Sequence, residues 1–361
     1  MDKVKRVVNS RHQRVQVCQI GCVLLVGILT IALPLAVSAE PTNKPLSAAQ
    51  SITIEAKQFS LDSERPERTK FGKLIWRGGI ILNAPSLHFG GFSGLEIDET
   101  GTHLFAISDE GVWLSADIAY DGRRLKGLRN ARLGPLRGRD GAPLTDKQNA
   151  DAEGLAIVDQ DGTNGTLVVS FERRHRIVKY AFGPKGITDQ IGSLPLPAGA
   201  KRLSRNKGLE GLAMIKTGRL KGALIAFAER PKRKSGDLMG WLIGGPAPGP
   251  FKLENLNGFD VTGVALLPDG DLLILERRFR GLGDLRMRIR KVAARDVRPG
   301  AHLSGEILLE LSGDLNIDNM EGIAAHRSHL GETVITLISD DNFNFFQSTL
   351  LMQFVLPMQT N

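Results

Sequence analysis

Five short segments of this chain share one pattern, and the spacing between them limits the folds it can adopt. They are Phe92-Ser-Gly-Leu-Glu-Ile-Asp98, Ala152-Glu-Gly-Leu-Ala-Ile-Val158, Leu209-Glu-Gly-Leu-Ala-Met-Ile215, Val261-Thr-Gly-Val-Ala-Leu-Leu267 and Met320-Glu-Gly-Ile-Ala-Ala325. Their central glycines, Gly94, Gly154, Gly211, Gly263 and Gly322, follow one another at intervals of 60, 57, 52 and 59 residues. A repeat of this length marks a supersecondary unit stacked many times over. Each segment leads through a Gly- or Asp-rich turn, such as Pro268-Asp-Gly270, into a second apolar run that ends on a carboxylate. Glycine and aspartate turns between short apolar runs are hairpin signals. Strands at this density, with almost no long helical periodicity, indicate an all-β chain folded as a β-propeller. Five blades are visible. Residues 74–82 and 350–356 supply material for a sixth that would be closed by the termini, so we expect six blades. A β-sandwich would match the strand density but gives no reason for the period.

The first 39 residues have a different character. Lys3, Lys5, Arg6, Arg11 and Arg14 precede an apolar run to about Leu35, and Val37-Ser38-Ala39 has the small-x-small pattern of a cleavage site. This predicts a signal peptide over 1–39, a lead-in segment over 40–69 and a propeller domain over 70–361, in a periplasmic or secreted protein. An uncleaved anchor is the alternative. No later segment is apolar for long enough to span a bilayer. Both cysteines, Cys18 and Cys22, fall in the leader, so the expected mature chain has no disulfide. Removing five basic residues and Asp2 lowers the formal charge from +8 to about +4, which weakens any nucleic-acid reading. We expect a monomer.

In a propeller the first strand of each blade lines the channel and the second returns antiparallel, so strand starts and strand ends meet at one mouth. That puts Glu153, Glu210 and Glu321 beside Asp109, Glu172, Glu229, Glu276 and Asp340. Like charges this close raise one another's pKa values and need a neutraliser. An oxygen-rich cluster suits Ca2+, which takes six to eight such ligands, and Asp151, Asn206, Asp318, Asn319 and Asn342 add donors. The candidate metal ligands are therefore Asp109, Asp151, Glu153, Glu210 and Glu321. Arginine is the other neutraliser: Glu172-Arg173, Glu229-Arg230 and Glu276-Arg277 end three second strands, and guanidinium holds carboxylate or phosphate in a fork. Adjacent side chains on a strand point to opposite faces, so both members of such a pair face the channel only where the strand has ended. Glu172 and Asp340 are the candidate catalytic carboxylates, and Arg173, Arg230 and Arg277 the candidates for holding a small anionic or ester substrate. The structural alternatives are that the glycines serve packing at a crowded axis and the Glu-Arg pairs tie blades together. The histidines show no ligand spacing, and neither a Gly-x-Ser-x-Gly elbow nor a Walker-type loop occurs.

The order of Phe71-Gly-Lys-Leu-Ile-Trp-Arg-Gly-Gly79, Phe89-Gly-Gly-Phe-Ser-Gly-Leu95, Ser108-Asp-Glu-Gly111, Asp151-Ala-Glu-Gly-Leu155, Ser170-Phe-Glu-Arg173, Asn319-Met-Glu-Gly-Ile323 and Asp340-Asp-Asn-Phe343 resembles the phytase-like, "esterase-like activity of phytase" family of exported bacterial propellers. The resemblance implies calcium-assisted hydrolysis of phosphate esters, with Asp151-Ala-Glu153-Gly154 matching the Asp-x-Glu-Gly element that supplies acidic metal ligands in alkaline phytases. The Asp-Asp-Pro-Ala element of those enzymes has no counterpart here. A metal-dependent hydrolase of phosphate or other esters, lactones included, is the expected function. A non-catalytic binding propeller with structural calcium is the alternative.

Overall fold

A computed structural model describes residues 45–230, 236–281 and 283–358. The predicted leader over 1–39 lies outside the described residues. Among those described, no helix is long and apolar enough to cross a membrane. Five sheets, antiparallel apart from the short edge strand His302–Leu303 that pairs in parallel with Gly249–Leu253, follow one another along the chain. Their innermost strands are Phe92–Ile97, Ala152–Asp161, Leu209–Met214, Asp260–Leu266 and Met320–Arg327, which define blades 1 to 5. Each innermost strand packs against the next, and that of blade 5 packs against that of blade 1, so the ring is closed at five.

The expected sixth blade does not form. Its two halves, Leu74–Asn83 and Thr349–Leu356, do pair with each other, with Leu351 opposite Ile80. Thr349–Leu356 also pairs on its other edge with Thr333–Ser339 of blade 5. Both are thus outer strands of the fifth blade, which would otherwise end after two strands. The lead-in continues this stitching: Gln50–Ser51 lengthens the sheet of blade 1 and Glu55–Phe59 that of blade 5.

The core is divided among the five seams between blades. One cluster joins Phe105, Ile107 and Trp113 of blade 1 to Val169, Phe171 and Tyr180 of blade 2. Equivalent clusters lie between blades 2 and 3, 3 and 4, 4 and 5, and 5 and 1. Strands covered on both faces in this way carry continuous apolar runs, as in Leu272–Leu275, where every residue is 0% exposed.

The repeated glycine sits where neighbouring innermost strands come closest. A Cβ on Gly154 would lie 2.8 Å from the Glu210 carbonyl oxygen, one on Gly263 2.6 Å from that of Glu321, and one on Gly322 2.8 Å from Leu95 Cβ. Gly94 and Gly211 meet the next blade equally closely, at Glu153 O and Val264 Cγ2. The pairing to the second strand also slips at this point in every blade, as between Leu209 and Gly211 or between Met320 and Gly322. The slip is a β-bulge, which re-aims the side chain it contains. The residue so turned is Ser93, Glu153, Glu210, Thr262 or Glu321. Gly263→Ala, which presses a methyl group against a neighbouring backbone carbonyl, is expected to lower unfolding free energy by about 1–3 kcal/mol in chemical denaturation. Gly162→Ala, in an open turn with nothing nearby, should cost less, its only penalty being a φ of +59°.

Candidate functional site at the acidic mouth

One backbone hydrogen bond recurs where second strands end. Asp109 N donates to Gly91 O (3.0 Å), Glu172 N to Asp151 O (2.9 Å), Glu229 N to Gly208 O (3.4 Å) and Asp340 N to Asn319 O (2.9 Å). Each joins a strand-end carboxylate to the residue two places before the bulge. Strand starts and strand ends therefore share one mouth of the channel, and Asp109, Glu153, Glu172, Glu210, Glu229, Glu321 and Asp340 are brought together there.

Glu276 is the exception. The strand Leu272–Phe279 runs past it, so Glu276 and Arg277 point to opposite faces. Glu276 is fully buried inside blade 4, where Arg288 Nε (2.8 Å) and Arg290 Nε (3.0 Å) both donate to its Oε2. It belongs to an internal ion triad and not to the mouth. Arg277 takes the other direction, donating to Asn319 Oδ1 and lying 3.3 Å from Glu321 Oε1. In blades 2 and 3 the second strands end at Phe171 and Ala228, so both members of each pair face the mouth. Arg173, whose φ is +52°, ion-pairs with Asp151. Arg230 contacts Asp260 Oδ2 (2.6 Å) and Glu229 Oε1 (3.1 Å).

Two members are absent from the sequence-derived set. Lys147, in the short helix Lys147–Ala150 between blades 1 and 2, places Nζ 2.6 Å from Asp109 Oδ2, 3.0 Å from Glu110 Oε1 and 3.2 Å from Asp151 Oδ1. It lies in an insertion outside the repeat, so no alignment of repeats marks it. Asp260 was findable: it precedes Thr262 by two, as Asp151 precedes Glu153 and Asn319 precedes Glu321.

Burial and mutual repulsion dominate the electrostatics. Burial first, then Glu210 and Glu172, hold the Glu153 carboxyl well above the usual range. Glu210 is raised strongly by burial and by Glu229, Glu172 and Glu321. Burial and Asp151 push Glu172 to about 7. Burial takes Glu321 to about 7, even though Arg277 opposes it, and Asp340 to about 8. Asp109 is raised as well, chiefly by burial against the opposing pull of Lys147. Two oxygens, Asp109 Oδ1 and Glu172 Oε2, are buried without a hydrogen-bond partner among the described residues. Asp151, Glu153 and Glu172 each offer an oxygen within 4.8 Å of the others. A set of hard oxygen donors carrying unsatisfied buried lone pairs fits a hard cation such as Ca2+.

A ring of blades with acidic, arginine-flanked side chains at one channel mouth defines a propeller with a polar site at its axis. More narrowly, the chain belongs to the phytase-like family, described as esterase-like activity of phytase, whose pattern matches residues 87–343. None of the curated proteins matches the chain. Among solved structures it is similar to an endo-arabinase from Bacteroides thetaiotaomicron, with 14% identity, a TM-score of 0.46, and 76% of this chain and 96% of that one covered. It is also similar to the Cps50 (Swd1) β-propeller domain of Myceliophteria thermophila, with 10% identity, a TM-score of 0.35, and coverage of 83% and 99%.

Two outcomes follow. Glu276→Gln removes the anion between two buried guanidinium groups and is expected to destabilise by about 3–5 kcal/mol in denaturant titration. For the mouth carboxyls the folded-state pKa lies above the ordinary value. The folded state therefore binds protons more tightly, and their contribution to stability is present below about pH 4.5 and is lost as pH rises towards 8. Chelator-treated protein should thus melt at a lower temperature at pH 8 than at pH 5, and Glu153→Gln with Glu210→Gln should flatten that slope.

Proposed function

We propose that this protein is an exported, cation-dependent hydrolase of phosphate or other ester bonds that acts as a monomer at the acidic mouth. The observation that carries the reading is the Asp151, Glu153 and Glu172 trio, whose oxygens converge while Glu172 Oε2 stays unpartnered. Membership of the phytase-like family agrees with it. These three would hold the cation, with Glu210, Glu321 and Asp109 completing the acidic surround. A bound divalent ion supplies Lewis acidity toward an ester oxygen and makes water a better nucleophile.

The chain's own groups then divide the remaining work. Arg277, set among Glu321, Glu229 and Glu210 and already engaged with Asn319 and Glu321, offers its remaining N–H to an anionic oxygen of the substrate. Arg173 and Arg230 are committed to Asp151 and Asp260, so they fix those carboxylates and present their remaining N–H groups outward. Asp340 accepts from Asn342 N at Oδ1 (2.6 Å) and from Asn319 Nδ2 at Oδ2 (3.4 Å). Held in this way, it takes the proton of an attacking water.

A second reading, a binding propeller with a structural cation, is favoured by the extent to which Lys147, Arg173 and Arg230 already neutralise the rim. One comparison separates them. Protein lacking the leader should hydrolyse phosphate or carboxylic esters in a chelator-sensitive manner. Glu153→Gln with Glu172→Gln should lower kcat/KM by roughly 100-fold or more, the scale of losing a general-base or metal function, while the fold survives. A cation that raises the melting temperature, with no turnover in any variant, would replace the hydrolase reading with the structural one.

A further inference from the structure

The acidic mouth has one apolar side. The loop after Asp340 carries Phe343, Phe345 and Phe346, which are 45%, 95% and 90% exposed. Exposed aromatic rings beside a polar site are uncommon unless something covers them. The loop that bears them is tightly held. Asp341 accepts from Gly91 N (3.0 Å), Phe343 N (3.1 Å) and Thr349 Oγ1 (2.9 Å). Asp318 accepts from Gln347 Nε2 (2.9 Å) and Ser348 N (2.8 Å), and Asn344 Oδ1 accepts from Phe346 N (3.1 Å). Phe343 itself has a φ of +48°, a conformation that is costly for a bulky side chain.

That conformation places its ring at the edge of the carboxylate cluster. The point where a Cβ on Gly91 would lie is 2.6 Å from Phe343 Cε2 and 2.5 Å from Asp109 Oδ1. The ring edge and the unpartnered carboxylate oxygen are therefore neighbours across a bare glycine. Phe343 also borders a groove of about 500 Å3, walled by Leu87, Val112, Leu144 and Leu46, with the polar His88, Glu110 and Thr145 among its lining. Its floor at Glu110-Gly111-Val112 follows Asp109 directly in the chain. Carboxylate oxygens meet a partly apolar groove of ligand size, the combination that fixes the orientation of an amphiphilic small molecule.

We infer that the substrate is an ester with a large apolar group, aryl or alkyl, that lies in this groove against Phe343 and Leu87 while its ester oxygens meet the carboxylate mouth. The inference rests on the hydrolase reading above and narrows it. A compactly charged polyphosphate would lie against the apolar Leu87 and Phe343 side chains and beside the Glu110 carboxylate, losing solvation and meeting like charge, whereas a ring placed there sheds water from two apolar surfaces.

The test is calorimetric binding of phenylphosphonate and methylphosphonate to the full mature protein with Ca2+, run beside turnover of phenyl phosphate and phenyl acetate. Phenylphosphonate should bind roughly 10-fold more tightly than methylphosphonate, the scale of covering one aromatic ring. Phe343→Asn, which removes the ring but keeps a residue tolerant of positive φ, and Leu87→Ser should each erase most of that preference. Ile191→Ala, at an exposed apolar residue of blade 2, should leave it intact. Equal binding of the two phosphonates, binding of neither, or a preference untouched by Phe343→Asn and Leu87→Ser would overturn the inference even if esters are turned over. A preference that depends on Phe343, with no turnover of any ester, would uphold the groove and remove only the hydrolase reading.

Discussion

At five points around the central axis, adjacent innermost strands approach until only a hydrogen atom fits on the inner Cα. The distances at Gly94, Gly154, Gly211, Gly263 and Gly322 leave no room for a methyl group. Most of the rest of the structure depends on that approach. It draws the strands into a narrow ring and forces the slip in pairing that turns the preceding side chain. It also leaves five wedge-shaped seams that the apolar runs fill. The carboxylates converge because the residue before each glycine is the one the bulge redirects. Packing at the axis and chemistry at the mouth are thus two results of one backbone geometry, and the glycine's packing role and the glutamate's site role do not compete.

Convergence has an electrostatic cost that the protein offsets only in part. Lys147, Arg173, Arg230 and Arg277 are distributed among at least seven carboxyls, and burial still holds Glu172 and Glu321 near 7 and Asp340 near 8. The asymmetry is informative. Thr262, at the bulge of blade 4, donates to Met320 O (3.0 Å) and serves only to tie blades 4 and 5 together, and that blade's strand-end glutamate turns inward. Blades 1, 2, 3 and 5 supply the seven clustered carboxylates, and blade 4 supplies Arg277 and one further carboxylate, Asp260. A ring held together by identical contacts had no need of this division, which is the pattern of a site superimposed on a structural repeat.

Much of the fold is legible in the sequence because spacing and turn chemistry repeat. The blade count is less so. Residues 74–82 and 350–356 read as strands and pair with each other as expected, but nothing in their composition says that Thr349–Leu356 also bonds to Thr333–Ser339. That depends on a ring that closes at five once the glycines set the strand separation. The site was legible wherever the repeat carries it. Glu276 departs from expectation because its strand continues three residues past it, whereas those of blades 2 and 3 end one residue before Glu172 and Glu229, and alternation then sends it inside. Lys147 was invisible because it reaches the mouth from an insertion.

The pairing of Leu74–Asn83 with Thr349–Leu356 also has a temporal meaning. The first long strand has its partner almost at the far end of the domain, so during synthesis it waits, unpaired along that edge, while four blades form. Such distant contacts are slow to make. The acidic mouth takes residues from every blade, Glu321 and Asp340 from the fifth among them, and only the last strand completes that blade. A chain interrupted before Thr349 can be rich in β-structure and still lack a fully enclosed mouth. Assembly of the site therefore reports that the whole ring has closed.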